Sequence, residues 1–286
     1  MLSSWNTPDC CQWEGIRCTN LTTHIISLDL HGELHYESLS LSQYKVYWRY
    51  ISGEIHKSLM ELRQLQYLNL NFNSFPHTNI PEFLGSLTNL RYLDLSSCHF
   101  SGQIPTQISS LSHLKYLNLA RNYYLEGPIP PQLGNLSRLQ YLDFSDNSLN
   151  GNILSQLGNL SWLQYLDLSY NSSEGYIPSQ LGSLSNLHKL YLEDIIMLSK
   201  FSPSCLRTIA KLPKLRELSL IECGLSDHFL LSFNPSNFNF STSLSVLRLS
   251  ENSFTQPMIF QWLLNTTSNV VELYLSSSVP RHIALT

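Results

Sequence analysis

A leucine pattern recurs along most of this chain at a nearly constant interval. In the segment LQYLNLNFN (65–73) leucine takes the first, fourth and sixth places, an alternation typical of a strand with one buried face. From Leu68 onward, successive fourth-place leucines are separated by 25, 24, 25, 24, 24, 28, 29 and 26 residues. The later copies are LRYLDLSSC (90–98), LKYLNLARN (114–122), LQYLDFSDN (139–147), LQYLDLSYN (163–171), LHKLYLEDI (187–195), LRELSLIEC (215–223), LSVLRLSEN (244–252) and VVELYLSSS (270–278), and HIISLDLHG (24–32) precedes them all. Such a period indicates a stack of repeated units.

The segments between the strands repeat as well. Variations on Gly-x-Ile-Pro follow the regular copies, as in SGQIP (101–105) and EGPIP (126–130), and Gly and Pro turn the chain. One unit cannot bury its own leucines, whereas a stack of units forms a continuous core. The sequence therefore predicts an α/β solenoid whose parallel β-sheet lines the concave face.

These segments resemble the plant-specific class of leucine-rich repeats, LxxLxxLxLSxNxLxGxIPxxLGxLxxL, most specifically between Leu65 and Leu192. The resemblance implies a right-handed superhelix with 3-10 or short helices on its convex side. Two stretches, LMELRQLQYLNL (59–70) and AKLPKLRELSLIECGLSDHF (210–229), are similar to receptor-like proteins of the fungal-xylanase-receptor type. The chain thus resembles the N-terminal part of a plant receptor-like protein or receptor-like kinase ectodomain.

That resemblance implies a non-enzymatic recognition module of an immune or developmental receptor, at the extracellular face of the plasma membrane. Its partners would be an extracellular protein, peptide or glycan ligand and a co-receptor kinase, with no cofactor. Two other functions stay open. One is a secreted cell-wall-enzyme inhibitor of the polygalacturonase-inhibiting type, which would need a cysteine-bearing C-terminal cap. The other is a truncated, non-signalling decoy or gene remnant.

The two ends differ from the repeats. LSSWNTPDCCQWEGIRC (2–18) resembles the second half of the cap that precedes plant repeats, and the resemblance implies a Cys11–Cys18 disulfide with Cys10 unpaired. We expect a fragment that lacks a signal peptide and a membrane span, since the sequence has no run of about 18 apolar residues. Its expected parts are a partial N-terminal cysteine cap (1–23), a first repeat with an insertion (24–64), regular plant-type repeats (65–192), longer irregular repeats (193–278) and an uncapped tail (279–286).

Asparagine or cysteine follows most of the strands. Repeats of this class bury the asparagine, whose amide bonds adjacent backbone, so its loss would cost about 1–3 kcal/mol. The asparagines are Asn73, Asn122, Asn147, Asn171 and Asn252. Cys98 and Cys223 take the same place, and we expect two buried thiols too far apart to pair. Cys205 is also expected to be unpaired.

Two stretches break the period. Between Leu28 and Leu68 the interval is 40 residues, and the surplus includes Tyr36, Tyr44, Lys45, Tyr47, Trp48, Arg49 and Tyr50. It is either an aromatic and basic loop that contacts a partner or a locally packed or mis-spliced insertion. In the later copies, Ser202-Pro203 before CLRTIAKL predicts a short helix, and MIFQWLL (258–264) is a second candidate.

Outward-facing residues of successive strands fall into three columns. The tyrosine column is Tyr67, Tyr92, Tyr116, Tyr141 and Tyr165, continued by Lys189 and Glu217; the acidic column is Asn69, Asp94, Asn118, Asp143 and Asp167, continued by Tyr191 and Ser219; the third column is Phe72, Ser97, Arg121, Asp146, Tyr170, Asp194 and Glu222. Tyrosine beside carboxylates provides rigid apolar area with hydrogen-bonding tips, which suits recognition, although the same rings could simply stack along the sheet. The residues expected to contact a ligand are the five tyrosines of the first column with Asp94, Asp143 and Asp167, and Arg121, Asp146 and Tyr170 of the more variable third column.

Six Asn-x-Ser/Thr sequons occur in the chain. Asn171 is an inward ladder residue and is expected to stay unmodified. The glycosylation candidates are therefore Asn20, Asn135, Asn159, Asn239 and Asn265.

Composition and motifs exclude several classes of protein. Charged residues make up 13% of the chain and the net charge is −4, so no basic excess exists to neutralise nucleic-acid phosphates. The sequence contains no phosphate loop, nucleophile elbow, zinc-protease helix motif or kinase signature. The ten histidines are scattered, and no His/Cys cluster completes a set of four metal ligands. The sequence therefore predicts neither a catalytic nor a metal site.

Overall fold

The computed structural model describes residues 7–20, 22–40, 43–153, 155–173, 177–195, 203–231, 240–267 and 269–276. The segment 279–286, expected to be an uncapped tail, lies outside them. Their strands are β1 (Ile16–Cys18), β2 (Ile25–Asp29), β3 (Glu33–Ser40), β4 (Gln43–Arg49), β5 (Tyr67–Asn69), β6 (Tyr92–Asp94), β7 (Ser101–Gly102), β8 (Tyr116–Asn118), β9 (Tyr124–Pro128), β10 (Tyr141–Asp143), β11 (Ser148–Gly151), β12 (Tyr165–Asp167), β13 (Ser172–Ser173), β14 (Lys189–Tyr191), β15 (Glu217–Ser219), β16 (Val246–Arg248) and β17 (Glu272–Tyr274).

The leucine repeats form one long sheet. Among the described residues it has eleven strands in the order β1-β2-β5-β6-β8-β10-β12-β14-β15-β16-β17. From β2 to β17 each strand pairs in parallel with the next, and equivalent leucines stand side by side, as in the Leu142–Leu166 pair. Every fourth-place leucine from Leu68 to Leu247 is fully buried, and each such burial contributes about 1.5–3 kcal/mol. The predicted parallel solenoid is confirmed.

Short helices return the chain on the side away from the main sheet. The 3-10 helices are Cys10–Gln12, Lys57–Glu61, Glu82–Ser86, Thr106–Ser110, Pro131–Asn135, Ser155–Asn159 and Ser179–Ser183. The α-helices are α1 (Pro203–Ala210), α2 (Asp227–Leu231) and α3 (Gln256–Thr266). Both predicted helices are confirmed, as α1 and α3. Within the described ranges, none of the helices has the length and apolarity that crossing a bilayer requires.

A second parallel sheet was not expected from the sequence. Its order is β13-β11-β9-β7, and it occupies the segments interpreted above as turns. The backbone conformation near the end of β9 requires glycine: Gly127 has a φ of 81°, and a side chain there would come within 2.9 Å of Gln103. Strand pairing includes this glycine and Pro128 after it, and only the Ile-Pro pair that follows leads into the 3-10 helix.

The N-terminal edge of the main sheet is covered. Strand β1 pairs antiparallel with β2, so the first parallel strand is not an open edge. The Cys11–Cys18 disulfide that the resemblance implied is present, with an S–S distance of 2.11 Å. It joins β1 to the 3-10 helix Cys10–Gln12 and so ties the cap together.

The insertion between the first two repeats is a β-hairpin rather than a loop. Strands β3 and β4 pair antiparallel, with Glu33 opposite Arg49 and Leu34 opposite Trp48. The hairpin leaves the main sheet after β2, and the chain returns to the repeats at Ile51, whose N–H donates to Asn73 Oδ1 at 2.7 Å. The side chains of Tyr36, Tyr44, Lys45 and Tyr47 lie outside the described part of the structure.

Candidate ligand-recognition surface

The asparagine ladder fixes where each concave strand ends. Asn122 Nδ2 donates to the carbonyls of Leu95 and Leu119 at 3.0 and 2.9 Å. Its Oδ1 accepts from the backbone N–H groups of Cys98 and Phe100 at 3.1 and 3.0 Å. Each asparagine thus links two repeats through otherwise unpaired backbone groups. The equivalent bonds of Asn73, Asn147, Asn171 and Asn252 confirm the predicted ladder.

Immediately before each ladder residue, the backbone enters the left-handed region. All seven members of the third column have φ between 44° and 58°, including Arg121 at 58° and Tyr170 at 54°. L-residues rarely adopt this conformation, and it costs them about 1–2 kcal/mol. The turn aims these side chains away from the core, which is why this column can vary from repeat to repeat.

The tyrosine column is a continuous stack of rings. Neighbouring ring centroids from Tyr67 through Tyr165 are 4.2 Å apart and the planes are 10–13° from parallel. The stack ends at Tyr165, since the next aromatic, Tyr191, is 5.5 Å away and tilted by 46°. The rings are half-buried. These tyrosines therefore do stack along the sheet, and a ligand can reach only their exposed edges.

The carboxylates of the acidic column are bonded within the protein. Asp143 Oδ2 accepts from the Tyr141 hydroxyl at 3.1 Å, and its Oδ1 accepts from the Ser145 backbone and hydroxyl at 3.0 and 2.7 Å. Asp94 and Asp167 are held in the same way by the tyrosine and serine on either side. Asp94 is 3% and Asp143 8% exposed. These carboxylates therefore orient the tyrosines more than they face the solvent.

Burial also changes the acid–base behaviour of this surface. Desolvation, reinforced by the charge of Asp143, raises the pKa of Asp167 to about 6. Desolvation likewise raises the pKa of Asp94, against the hydrogen bonds from Ser96. The tyrosine hydroxyls have raised pKa values because they are partly buried and lie beside carboxylates. Near neutral pH the tyrosines are thus uncharged hydrogen-bonding groups.

The third column is the exposed one. Arg121 Nε lies 3.6 Å from Asp146 Oδ2, a long pair in which the arginine side chain is 59% exposed. Tyr170 is 43% exposed, and its hydroxyl donates to Glu193 Oε2 at 3.2 Å. Burial and the Glu193 charge raise the pKa of Tyr170 to about 12. These three residues lie on successive repeats and leave their polar groups accessible to a partner.

Beyond the tyrosine stack, the concave face carries an ion network that the sequence analysis missed. Glu217, 8% exposed, contacts Lys189 at 2.9 Å and bonds Arg248. Burial opposes ionisation, yet the hydrogen bonds from Arg248 and Lys189 outweigh it and lower the pKa of Glu217. Arg248 also lies 5.1 Å from the centroid of the Tyr274 ring. In the sequence, the opposite charges of Lys189 and Glu217 at equivalent positions of neighbouring strands could have indicated this network.

The cysteines outside the disulfide were expected to be unpaired. Cys98 and Cys223 are buried free thiols that donate to the carbonyls of Leu70 and Leu192, as expected, and Cys10 is also free. The side chain of Cys205 is outside the described residues. Within the described ranges, no cluster of three or more His, Cys, Asp or Glu side chains is arranged to hold a metal ion.

The asparagines of the sequons differ in their exposure to solvent. Asn20, Asn135 and Asn159 are exposed, the last two at the ends of 3-10 helices. Asn171 is 5% exposed, and its amide nitrogen already donates to Phe144 O at 2.8 Å. Asn239 lies outside the described residues, as does the side chain of Asn265. The three exposed sites remain candidates for glycosylation.

Comparison with known proteins agrees with this architecture. The leucine-rich repeat region family matches residues 41–249, and the leucine rich repeat N-terminal domain family matches residues 1–19. Receptor-like protein EIX2 of Solanum lycopersicum is 40% identical over 100 residues, covering 35% of this chain and 9% of that protein. Receptor-like protein EIX1 of the same plant is 37% identical over 103 residues, covering 35% and 10%. The chain spans about a tenth of the length of these curated relatives.

A solved structure shows the same arrangement of repeats. The Arabidopsis receptor kinase HAESA, in complex with the peptide hormone IDA and the co-receptor SERK1, has a TM-score of 0.62 and 26% identity to this chain. The match covers 88% of this chain and 43% of that one. The chain belongs to the leucine-rich repeat family, and it resembles the ectodomain repeats of plant receptor-like proteins.

Proposed function

We propose that this chain is the ligand-recognition part of a plant cell-surface receptor, immune or developmental, and that it has no enzymatic activity. The observation that carries the proposal is the third column, a row of outward-facing side chains that differ between neighbouring repeats on an otherwise uniform frame. Arg121, Asp146 and Tyr170 present a cation, an anion and an aromatic hydroxyl on adjacent repeats. Such mixed, outward-facing groups with an aromatic member are well suited to selective binding.

The wider setting of the proposal rests on the relatives. The two tomato proteins described above are receptor-like proteins, and the HAESA structure holds a peptide hormone together with a co-receptor. By analogy, the ligand is an extracellular protein, peptide or glycan, and a co-receptor kinase transmits the signal. The surface would face the extracellular space at the plasma membrane.

A matched pair of triple variants tests the proposal. The chain is secreted from plant cells behind an added signal peptide, immobilised, and exposed to the proteins and peptides of plant extracellular fluid. The test variant is Arg121→Ala with Asp146→Ala and Tyr170→Ala. The control variant is Arg138→Ala with Glu82→Ala and Trp162→Ala, which removes an exposed cation, anion and aromatic ring away from the concave strands.

The expected result is a set of polypeptides bound by the wild type and by the control variant and reduced about tenfold or more on the test variant, a loss of about 1.4 kcal/mol. Equal recovery on all three proteins would place the binding surface elsewhere. Recovery of nothing specific on the wild type would contradict recognition by this chain.

A further inference from the structure

The hairpin insertion and the third column together form a groove. Trp48, at the end of β4, stacks on Phe72 with a centroid distance of 5.8 Å and an interplanar angle of 15°. The groove beside this pair has a volume of about 330 Å³. Its lining includes Trp48, Tyr50, Phe72, His99, Arg121 and Tyr123. These residues come from the insertion and from three successive repeats, so folding alone brings them together.

The lining exposes an unusual amount of aromatic surface. Trp48, Tyr50, Phe72 and Tyr123 are 51%, 52%, 40% and 57% exposed. Scattered apolar side chains on a surface need no explanation, but a contiguous aromatic patch marks an interaction site. Tyrosine and tryptophan are also the residue types that contribute most to binding at protein interfaces.

The charge of the groove has one sign. Its ionisable lining groups other than tyrosine are His99 and Arg121, and among the described residues that line it there is no carboxylate. This contrasts with the net charge of −4 of the whole chain. The nearest acidic partner of Arg121 is the loosely paired Asp146, at 3.6 Å, so the guanidinium keeps donors for an anion.

Most of the exposed lining of the groove is apolar, which disfavours a sugar. Besides Arg121 and the two tyrosine hydroxyls, the polar lining groups are Ser74, Ser97 and His99, whereas the amide of Asn73 is used by the carbonyls of Leu30 and Leu70 and by the Ile51 N–H. A sugar ring carries a hydroxyl on most of its carbons, and burying these without partners is costly. A peptide side chain that is itself aromatic or aliphatic has no such requirement.

We propose that this groove binds a peptide segment, within a protein or peptide ligand, that presents an aromatic or large aliphatic side chain next to an acidic one. The apolar side chain lies against Trp48, Phe72 and Tyr123, and the carboxylate pairs with Arg121. The proposal rests on the function proposed above and specifies its ligand. The volume of about 330 Å³ is at the small end for ligand pockets and suits one or two side chains.

The first experiment uses a random peptide library displayed on phage, selected on the wild-type protein. The expected peptides contain Phe, Tyr, Trp, Leu or Ile within two positions of Asp or Glu. Synthetic versions should bind Trp48→Ala about tenfold or more weakly, and Trp48→Phe, which keeps a ring on Phe72, within about threefold of the wild type. Trp162→Ala, which removes an equally exposed tryptophan elsewhere, should bind like the wild type. Thermal unfolding of each variant confirms that it is folded.

Charge reversal supplies the second experiment. Glutamate already occupies the equivalent left-handed position at Glu222 and Glu251, with φ of 54° and 58°, so Arg121→Glu is compatible with the backbone. It should weaken the selected acidic peptides about tenfold or more and strengthen the same peptides with Lys in place of Asp or Glu. Unchanged binding by this variant would overturn the proposal.

If the groove binds something other than such a peptide, the binding experiments would give different results. Selected peptides that are basic, or that bind Trp48→Ala as well as the wild type, would overturn the proposal. Binding of the neutral oligosaccharide xylohexaose that Trp48→Ala abolishes would assign the groove to a glycan. A concentration-dependent dimer that Trp48→Ala dissolves would assign it to a second copy of this chain.

The two proposals can fail separately. Asp146 and Tyr170 belong to the third column but do not line the groove. If Asp146→Ala with Tyr170→Ala abolishes binding of the extracellular ligand while Trp48→Ala does not, the recognition function stands and the groove proposal falls. If neither change has an effect on that ligand, the groove proposal falls and the ligand binds elsewhere on the chain.

Discussion

Asp143 and Asp167 stand side by side on the adjacent parallel strands β10 and β12, and each accepts a hydrogen bond from the tyrosine two residues before it. The pairing places two carboxylates on the same face of the sheet, one strand spacing apart. Burial and this neighbour hold the pKa of Asp167 at about 6, above its ordinary value of 3.8. The concave face thus contains a carboxyl group that changes charge in mildly acidic solution.

Asp167→Asn should therefore change stability in a pH-dependent way. Between about pH 4 and pH 6 the folded protein holds the Asp167 proton more tightly than the unfolded chain, so this group's contribution to stability falls as the pH rises through that range. The variant should be more stable than the wild type by about 1–3 kcal/mol near pH 7.5 and nearly equal to it near pH 3.5. Urea unfolding at both pH values measures this difference.

The chain itself provides the matched control. Asparagine already occupies the same column position at Asn69 and Asn118, and Asn118 Nδ2 donates to the Tyr116 hydroxyl at 3.4 Å. Asn118→Asp adds a carboxylate between Asp94 and Asp143, so it should destabilise the protein near pH 7.5. A stability change in Asp167→Asn that is the same at both pH values would contradict the titration of Asp167.

Asn122→Ala should be among the most destabilising single changes in the repeats. It removes the acceptor of two buried N–H groups and the donor of two carbonyls, at a cost of about 3 kcal/mol or more. Asn122→Cys should cost less, because Cys98 at the same position donates to Leu70 O at 2.9 Å. Urea unfolding of the two variants tests the order, and equal losses would show that the thiol does not replace the amide.

The left-handed positions should prefer glycine over alanine. At Glu251, with a φ of 58°, we expect Glu251→Gly to be more stable than Glu251→Ala by about 1 kcal/mol, since glycine has no steric penalty there. At the exposed Lys115, which is not left-handed, the order of the same two substitutions should reverse. Melting temperatures of the four variants test the comparison. Alanine equal to glycine at position 251 would mean that the backbone relaxes out of this conformation.

The cysteines should differ sharply in reactivity. Alkylation without reduction should leave Cys11 and Cys18 joined in one disulfide-linked peptide fragment. Cys98 should react only after unfolding, because it is fully buried and burial raises the pKa of its thiol to about 12. Peptide mapping by mass spectrometry locates each label. Alkylated Cys11 and Cys18 in protein made through a secretory pathway would show that the bridge does not form.

The period of the leucines was sufficient to predict the main sheet, its core and the three columns. Residues such as Leu68 and Leu142 recur at one interval and bury one face, so their pairing follows from counting. The second sheet could not be predicted in this way, because Ser101–Gly102 and Ser172–Ser173 are too short to show an alternation and contain no large apolar residue. The columns gave the positions of the candidate site residues, but not the fact that Asp94 and Asp143 are bonded internally.

The groove was beyond sequence analysis for a different reason. Trp48 belongs to an insertion that has no place in the period, so nothing in the spacing relates it to Phe72. Their stacking depends on the path of the β3–β4 hairpin, which is a tertiary feature. The sequence showed only that this segment is rich in aromatic residues, and the structure supplies their neighbours.

The tyrosine stack sets a limit on how the solenoid can bend. Neighbouring strands are roughly 4.8 Å apart, whereas the centroids of the rings above them are only 4.2 Å apart, close to the separation of two stacked rings in contact. Because the rings lie on the inner side of the arc, tighter curvature between Tyr67 and Tyr165 would force them to overlap. Within the described residues, the repeats from Lys189 onward have no such stack. A partner that contacts both parts of the arc would therefore meet a fixed curvature between Tyr67 and Tyr165. Any change of curvature on binding would occur in the repeats from Lys189 onward.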